Sequence, residues 1–130
     1  MERYLVDTTV LIDLSRGMSG IRGRLDRLID SGAELGVCAI NVAEFVSGVP
    51  NNQLFRWDRL LSEFLYWDIS HEAAVLAGAY RQALARQGKT LKLPDAIVAA
   101  VATTLGATIL TDNVNDFLQI ADVRVRTPRY

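Results

Sequence analysis

Near its start the chain reads Leu5-Val6-Asp7-Thr8-Thr9-Val10-Leu11-Ile12-Asp13, and this stretch decides the fold. The residues just before Asp7 predict a short buried strand over 3–6. From Thr8 onward the apolar residues recur at helical spacing as far as Gly17, which predicts a helix directly after the strand. A strand that passes at once into a helix is typical of α/β proteins, and it leaves Asp7 at the junction.

The rest of the chain repeats this alternation of strand and helix. Strands are predicted at 35–39, 65–69, 107–111 and 123–125, and helices at 19–30, 41–48, 54–64, 71–87, 93–106 and 114–118. Asn41 and Ser70 are the predicted N-caps of their helices. Because the strands are apolar throughout, they predict a mainly parallel sheet that is covered on both faces. We therefore expect one α/β domain over residues 1–130, a three-layer α/β/α sandwich with about five strands.

The composition is that of an ordinary globular protein, with 50% hydrophobic residues, 22% charged residues and a net charge of −1. This balance argues against a protein that wraps long stretches of nucleic acid by bulk charge, but not against an enzyme that contacts a few phosphates. Cys38, the single cysteine, excludes an internal disulfide, and its apolar neighbours predict a buried structural thiol. Since neither a signal-peptide pattern nor a membrane-spanning run is found, we expect a cytoplasmic protein without membrane contact.

Several acidic residues are predicted to lie at one edge of the sheet, after a strand or in the first turns of a helix: Asp7, Glu44, Asp95, Asp112 and Asp116. In an open α/β sheet, ligands bind outside the carboxyl ends of the strands. Clustered carboxylates repel one another unless a cation lies among them. Without histidine or cysteine in the set, Mg²⁺ or Mn²⁺ is favoured over Zn²⁺. Such a site would polarise a phosphodiester and activate a water for in-line attack.

Each acid also has an interpretation without chemistry. Asp7 is a suitable helix N-cap, Asp95 suits the dipole of its helix, and Asp112 and Asp116 are common turn residues. Glu44 is harder to explain in this way, because it interrupts an otherwise apolar stretch and needs a partner. These interpretations account for every position singly but not for their convergence.

Four stretches resemble the motifs of PIN domains in the same order, at residues 5–13, 41–48, 93–100 and 109–117. The first is a hydrophobic strand followed by Asp-Thr-x-Val-Leu-Ile, and the last is a strand that ends in Thr and continues as Asn-x-x-Asp-Phe. Length and motif order resemble the VapC toxins of toxin–antitoxin pairs over nearly the whole chain. The resemblance implies a PIN-like fold and a metal-dependent endoribonuclease that hydrolyses RNA with Mg²⁺ or Mn²⁺.

The resemblance also implies roles for individual residues. The acids that would ligate or orient the metal are Asp7, Glu44, Asp95 and Asp116. The hydroxyl groups that would support them belong to Thr8 or Thr9 and to Thr111. Many relatives carry an acid where this chain has Asn113, so Asp112 or Asp116 must stand in as the fourth acid. The resemblance does not choose between Asp112 and Asp116, nor between one metal ion and two.

The partners that the resemblance implies are the RNA substrate, an antitoxin and a second copy of the chain in a homodimer. The antitoxin would lay a helix or an extended segment in an apolar groove and push a basic side chain toward the acids. Large apolar side chains crowd one helix and the strand after it: Phe55, Trp57, Leu61, Phe64 and Trp67. They are interpreted as core or, alternatively, as a face that binds a partner.

Other protein classes also place aspartates at the ends of strands, and their further requirements can be compared with this sequence. A haloacid-dehalogenase-type phosphatase needs a second acid at position 9, where this chain has Thr9. A response-regulator receiver domain needs an adjacent acidic pair and a late lysine, which do not occur in the required places. A non-catalytic PIN-like module that binds RNA or protein is the remaining alternative, and the complete set of acids argues against it. His71, the only histidine, is predicted to start a helix at the surface and not to act as a general base.

Overall fold

The computed structural model describes residues 1–129, apart from the side chain of Phe55, so the proposed role of Phe55 lies outside the described residues. Within this range the strands form one sheet: β1 (Arg3–Val6), β2 (Glu34–Cys38), β3 (Leu65–Trp67), β4 (Thr108–Leu110) and β5 (Val125–Arg126). The strand order is β3-β2-β1-β4-β5, and every pairing is parallel. The prediction of a parallel sheet with about five strands is confirmed.

Helices cover both faces of this sheet, as the sequence predicted. They are α1 (Thr8–Ser15), α2 (Ile21–Asp30), α3 (Ala39–Ser47), α4 (Leu54–Leu61), α5 (His71–Arg86), α6 (Leu93–Leu105) and α7 (Val114–Leu118), with a 3₁₀ turn at Asn51–Gln53 before α4. In the described part of the chain, no helix is both long and apolar enough to cross a membrane.

Neighbouring residues of the strands point alternately into two cores. Tyr4 and Val6 of β1 belong to a core that also contains buried residues of α1 and α2. Leu5, between them, belongs to a second core built with α5 and α6. Because both faces of the sheet are buried, every position of the central strand has to be apolar or aromatic apart from its exposed first residue. This explains the continuous apolar runs in the sequence.

The start of α3 corrects one prediction. Asn41 is not the N-cap, because β2 runs straight into the helix and Cys38 occupies the cap position. Asn41 lies in the first turn instead, and its Oδ1 accepts a hydrogen bond from the Cys38 backbone N–H at 3.0 Å. Its side chain thus satisfies the backbone N–H of the N-cap residue, as the third residue of a capping box does. The cap at Ser70 is confirmed, since its Oγ accepts from the Ala73 N–H at 3.0 Å.

Several boundaries also differ from the prediction. The second strand lies at Glu34–Cys38 and not at 35–39, the fourth strand lies at Thr108–Leu110 and not at 107–111, and α4 ends at Leu61 and not at 64. The third strand ends at Trp67 and not at Ile69, and the last strand lies at Val125–Arg126 and not at 123–125. The last strand is set by its pairing, in which Ile109 and Leu110 of β4 lie opposite Val125 and Arg126. Hydrogen bonding to a neighbour, and not the apolar pattern, therefore fixes where it lies.

Two predictions about single side chains are confirmed. Cys38 is a fully buried free thiol, and His71 is exposed at the first position of α5. Phe64 is buried, whereas Trp57 and Trp67 are half-buried against the two cores. Core packing therefore accounts for these aromatic residues.

Gly36→Ala is expected to lower the free energy of unfolding by about 1–3 kcal/mol, the usual cost of overpacking a core. A Cβ at Gly36 would lie 2.6 Å from ring atoms of Trp67, so the ring or the strand that carries it would have to shift. Gly78→Ala is the matched control, since a Cβ there meets nothing within 4 Å. On helix propensity the control should gain up to ~1 kcal/mol. Urea unfolding of both variants measures the difference, and equal stabilities would contradict this account of the β2–β3 packing.

Candidate functional site

Asp7 lies at the carboxyl end of the central strand, directly after β1. Its N–H donates to the carbonyl of Leu110 at 2.9 Å, which continues the ladder between β1 and β4. This pairing fixes the backbone, and the side chain is only 7% exposed. Asp7 occupies the N-cap position of α1, but its side chain makes no capping hydrogen bond. The carboxylate is therefore turned to other partners.

Those partners are the hydroxyl of Thr111, directly after β4, and the side-chain amide of Asn41 in α3. The Thr111 Oγ1 donates to Asp7 Oδ2 at 2.8 Å, and the Asn41 Nδ2 donates to Oδ1 at 3.4 Å. Thr111 and Asn41 are themselves fully buried. A buried carboxylate needs such donors to keep its charge. Asp7 is thus held from β4 on one side and from α3 on the other.

Thr111 is the centre of a small hydroxyl network. Its Oγ1 also accepts the backbone N–H of Asn113 at 2.9 Å and lies 3.4 Å from the Oγ1 of Thr9. Because the single hydroxyl proton of Thr111 goes to Asp7, Thr9 must be the donor in the Thr9–Thr111 contact. Thr9 in turn accepts the N–H of Asp112 at 3.2 Å. The loop after β4 is therefore tied to the start of α1.

Glu44 stands on the exposed side of α3, beside the start of α1. The Thr8 Oγ1 donates to its Oε1 at 2.9 Å. The partner that the sequence required for Glu44, an acid in an otherwise apolar stretch, is therefore a hydroxyl group 36 residues away in the chain. Glu44 is thereby oriented but remains accessible to solvent.

Asp95 and Asp116 complete the group of acids. Asp95 is half-buried in the first turn of α6, and Asp116 is exposed in the first turn of α7. Burial raises the pKa of Asp95, and the charges of Asp7, Asp116 and Glu44 raise it further, while Lys92 opposes them. Electrostatically, these four acids form one group.

The pKa of Asp7 is raised for related reasons. Burial is the largest cause, the hydrogen bonds from the Thr111 hydroxyl and the Thr8 N–H oppose it, and the charges of Glu44 and Asp116 add to the increase. Among the described residues, no group of three or more acidic, histidine or cysteine side chains is arranged so that it could hold a metal ion. Mg²⁺ does not require such a group, since it is usually held by one or two carboxylates together with waters and phosphates.

Asp112 lies apart from this group, although it follows β4 directly. Its Oδ1 is 3.2 Å from the Nε of Arg129, and Arg129 also lies 3.4 Å from Oδ2 of Asp13. Burial, together with a hydrogen bond and the negative charge from Asp13, raises the pKa of Asp112 to about 6, while Arg129 lowers it. Asp112 thus belongs to a second cluster that ties the end of the chain to α1.

Sequence reasoning did not identify Asn41, Asp13 or Arg129 as part of these two clusters. For Asn41 a signal existed, because it is a polar residue three positions before Glu44 at a buried strand end. Arg129 and Asp13 are 116 residues apart, and no local pattern links them.

In the metal-free protein, Asp7→Asn is expected to become more stable relative to wild type as the pH rises from about 4 to about 7. An aspartate in the unfolded chain ionises near pH ~3.9, whereas the raised pKa of Asp7 delays ionisation in the folded state. Across that window the folded state holds more protons than the unfolded state, so the wild-type free energy of unfolding falls as the pH rises. Asparagine carries no such proton.

Urea unfolding in EDTA at several pH values measures this difference. Asp30→Asn, at the exposed last residue of α2, controls for the loss of one carboxyl group. Asp112 titrates in all three proteins, so its contribution cancels. If Asp7→Asn differs from wild type by the same amount at every pH, burial of Asp7 does not oppose its ionisation.

Similar proteins match this chain over nearly their whole length. Ribonuclease VapC19 from Mycobacterium tuberculosis is 25% identical over 120 residues, which cover 92% of this chain and 96% of the relative. The tRNA(fMet)-specific endonuclease VapC from Salmonella typhimurium is 24% identical over 131 aligned positions, which cover 96% and 97%. A solved toxin–antitoxin complex from Klebsiella pneumoniae contains a chain with 31% identity and a TM-score of 0.74, with 96% and 97% covered.

The family model described as the PIN domain matches residues 4–123, a range that includes all four acids of the group and the loop after β4. By this match, and with an all-parallel sheet that brings Asp7, Glu44, Asp95 and Asp116 into one electrostatic group, the chain belongs to the PIN domain family.

Proposed function

We propose that this protein is an endoribonuclease, the toxin of a toxin–antitoxin pair, which hydrolyses RNA phosphodiester bonds at a carboxylate site that holds Mg²⁺ or Mn²⁺. The observation that carries the proposal is the mutual charge repulsion among four acids, Asp7, Glu44, Asp95 and Asp116, of which Asp7 is buried. A domain that only bound RNA or protein would gain nothing from that repulsion. The names of the relatives, a ribonuclease and an endonuclease, support the same reaction.

The donor set fits a hard divalent cation, because its ligand atoms are carboxylate oxygens. One or two of Asp7, Glu44 and Asp95 would hold it directly, together with waters and substrate phosphates. For the fourth acid we favour Asp116 over Asp112, because the charge of Asp116 acts on Asp7 and Asp95 whereas Asp112 is paired with Arg129. The cation would supply the positive charge that polarises the scissile phosphodiester and makes water a stronger nucleophile.

The residues of the chain itself would hold this site in order. Thr111 and Asn41 fix the two oxygens of Asp7, so that its remaining lone pairs have a defined direction. Thr8 orients Glu44 at the solvent side, where a water or a phosphate can reach it. Partners of this kind keep a ligating side chain in position, and their loss usually weakens metal binding or activity.

The proposal includes an antitoxin as inhibitory partner, a homodimer and a cytoplasmic location, where RNA is available. The solved structure from Klebsiella pneumoniae, a toxin–antitoxin complex, supports an antitoxin for this chain.

Cleavage of RNA should require Mg²⁺ or Mn²⁺, and Asp95→Asn should lower it by at least about 100-fold because one charge of the site is lost while the fold is kept. The measurement is the cleavage of a labelled RNA by the antitoxin-free chain, with and without EDTA. Asp30→Asn is the control and should cleave like wild type. Full cleavage in EDTA would refute the metal mechanism, and binding of RNA without any cleavage would favour a non-catalytic module.

Thr111→Val should raise the Mg²⁺ concentration needed for half-maximal cleavage by about 10–100-fold, the usual effect of removing a group that orients a ligand. The variant keeps the shape of the side chain but removes the hydroxyl that donates to Asp7. Thr104→Val is matched to it, since that hydroxyl bonds only to the Val101 carbonyl in the described contacts. An unchanged Mg²⁺ requirement in Thr111→Val would show that this hydrogen bond does not support the site.

A further inference from the structure

A groove leads from Glu44 toward an arginine-rich surface. Its first part, of about 230 Å³, is bounded by Glu44 and Phe45 of α3 and by residues of α1 and α4. A second depression, of about 590 Å³, continues it between α1, α2 and α4. Ser15, Arg16 and Trp57 line both parts, so the two depressions are adjacent. We call this feature the arginine groove.

The charge of the second part is strongly positive, although the chain as a whole carries −1. Its charged lining residues are four arginines and one glutamate: Arg16, Arg22, Arg56, Arg59 and Glu63. Arg22 is already bound to Glu63 at 2.8 Å. Arg16, which directly follows α1, and Arg56, in α4, are both exposed. A local excess of guanidinium groups attracts a polyanion.

A chain of aromatic contacts links Arg56 to the helix that carries Glu44. Its guanidinium lies 5.0 Å from the ring centroid of Trp57, in a cation–π contact. Trp57 in turn packs edge-on against Phe45, with ring centroids 6.0 Å apart. Phe45 is buried and is the neighbour of Glu44 in α3. This chain of contacts positions a phosphate-binding side chain in advance, which lowers the entropy lost on binding.

We propose that the arginine groove binds the sugar–phosphate backbone of single-stranded RNA beside the scissile bond, with Arg16 and Arg56 as its phosphate contacts. This inference rests on the proposed nuclease function. An RNA strand whose cleaved phosphate lies at the acids must leave that anionic site, and the groove begins at Glu44. The planar fork of arginine suits phosphate oxygens. An antitoxin helix would call for an apolar lining, whereas charged side chains dominate the outer part of this groove.

The test compares two double variants that remove the same charge. Arg16→Gln/Arg56→Gln alters the groove, and Arg27→Gln/Arg86→Gln alters exposed arginines in the last turns of α2 and α5. Each is made in the full chain that also carries Asp95→Asn, so that the RNA is not cut. Fluorescence anisotropy with a short single-stranded RNA oligonucleotide and Mg²⁺ gives Kd at several salt concentrations.

The groove variant should raise Kd at least about tenfold. The slope of log K against log salt should become shallower by about 1.4, or about 0.7 for each of two lost phosphate contacts. The control pair should leave Kd and slope close to those of the parent. With Asp95 intact, the groove variant should raise KM for the same RNA more than it lowers kcat. Arg16→Lys/Arg56→Lys, which keeps both charges, should retain most of the salt slope.

The possible failures are distinguishable. If the wild-type chain does not cleave RNA, the proposed function fails whatever the groove does. If it cleaves but the groove variant binds RNA like the control pair, the inference about the groove is wrong. The inference is also wrong if the groove variant keeps its RNA affinity and loses only a co-expressed antitoxin. If Arg16→Gln/Arg56→Gln does not fold, Arg16→Lys/Arg56→Lys is measured in its place. A salt slope equal to that of the control pair then supports the proposal, and a shallower slope overturns it.

Discussion

The carboxylate of Asp7 is almost completely buried, and Glu44 and Asp116 add their repulsion to the cost of that burial. The hydrogen bonds from Thr111 and Asn41 offset only part of this cost, because both donors are neutral and one of them is at 3.4 Å. The pKa of Asp7 therefore stays raised. A protein that keeps such a group gives up stability in exchange for an anionic pocket with fixed geometry, which is the arrangement expected of a functional site.

The parallel sheet makes this arrangement possible. With the order β3-β2-β1-β4-β5, β1 is central, and the helix after β2 and the loop after β4 flank its carboxyl end. Asp7, Glu44 and Thr111 therefore meet although they are far apart in sequence. The sequence predicted this convergence, because strand ends and helix starts were readable from local pattern and the carboxyl ends of parallel strands share one edge. Asp95 follows from the same logic through the first turn of α6.

What the sequence left undetermined depends on long-range geometry. The N-cap of α3 lies three residues earlier than predicted, at Cys38, and this shift turns Asn41 from a cap into a buried donor that reaches Asp7. No local propensity distinguishes these two outcomes. From its position directly after a strand, Asp112 is as good a candidate ligand as the other acids. In the structure, however, Arg129 forms ion pairs with Asp112 and with Asp13. Pairing of this kind is decided by where the last strand lies, and hydrogen bonding fixes that strand more than its composition does.

The net charge of −1 conceals a separation of charge that matters more than the sum. Acids gather around Asp7, whereas arginines line the outer groove that begins at Glu44. Without a cation, the acids would repel the scissile phosphate from the place where it has to react, and the arginines would attract only phosphates farther along the strand. A cation at the acids turns the repulsion of the scissile phosphate into attraction and does not change the attraction by the arginines. Under the proposed function, metal and RNA should therefore each strengthen the binding of the other, since the two affinities are linked through one electrostatic site.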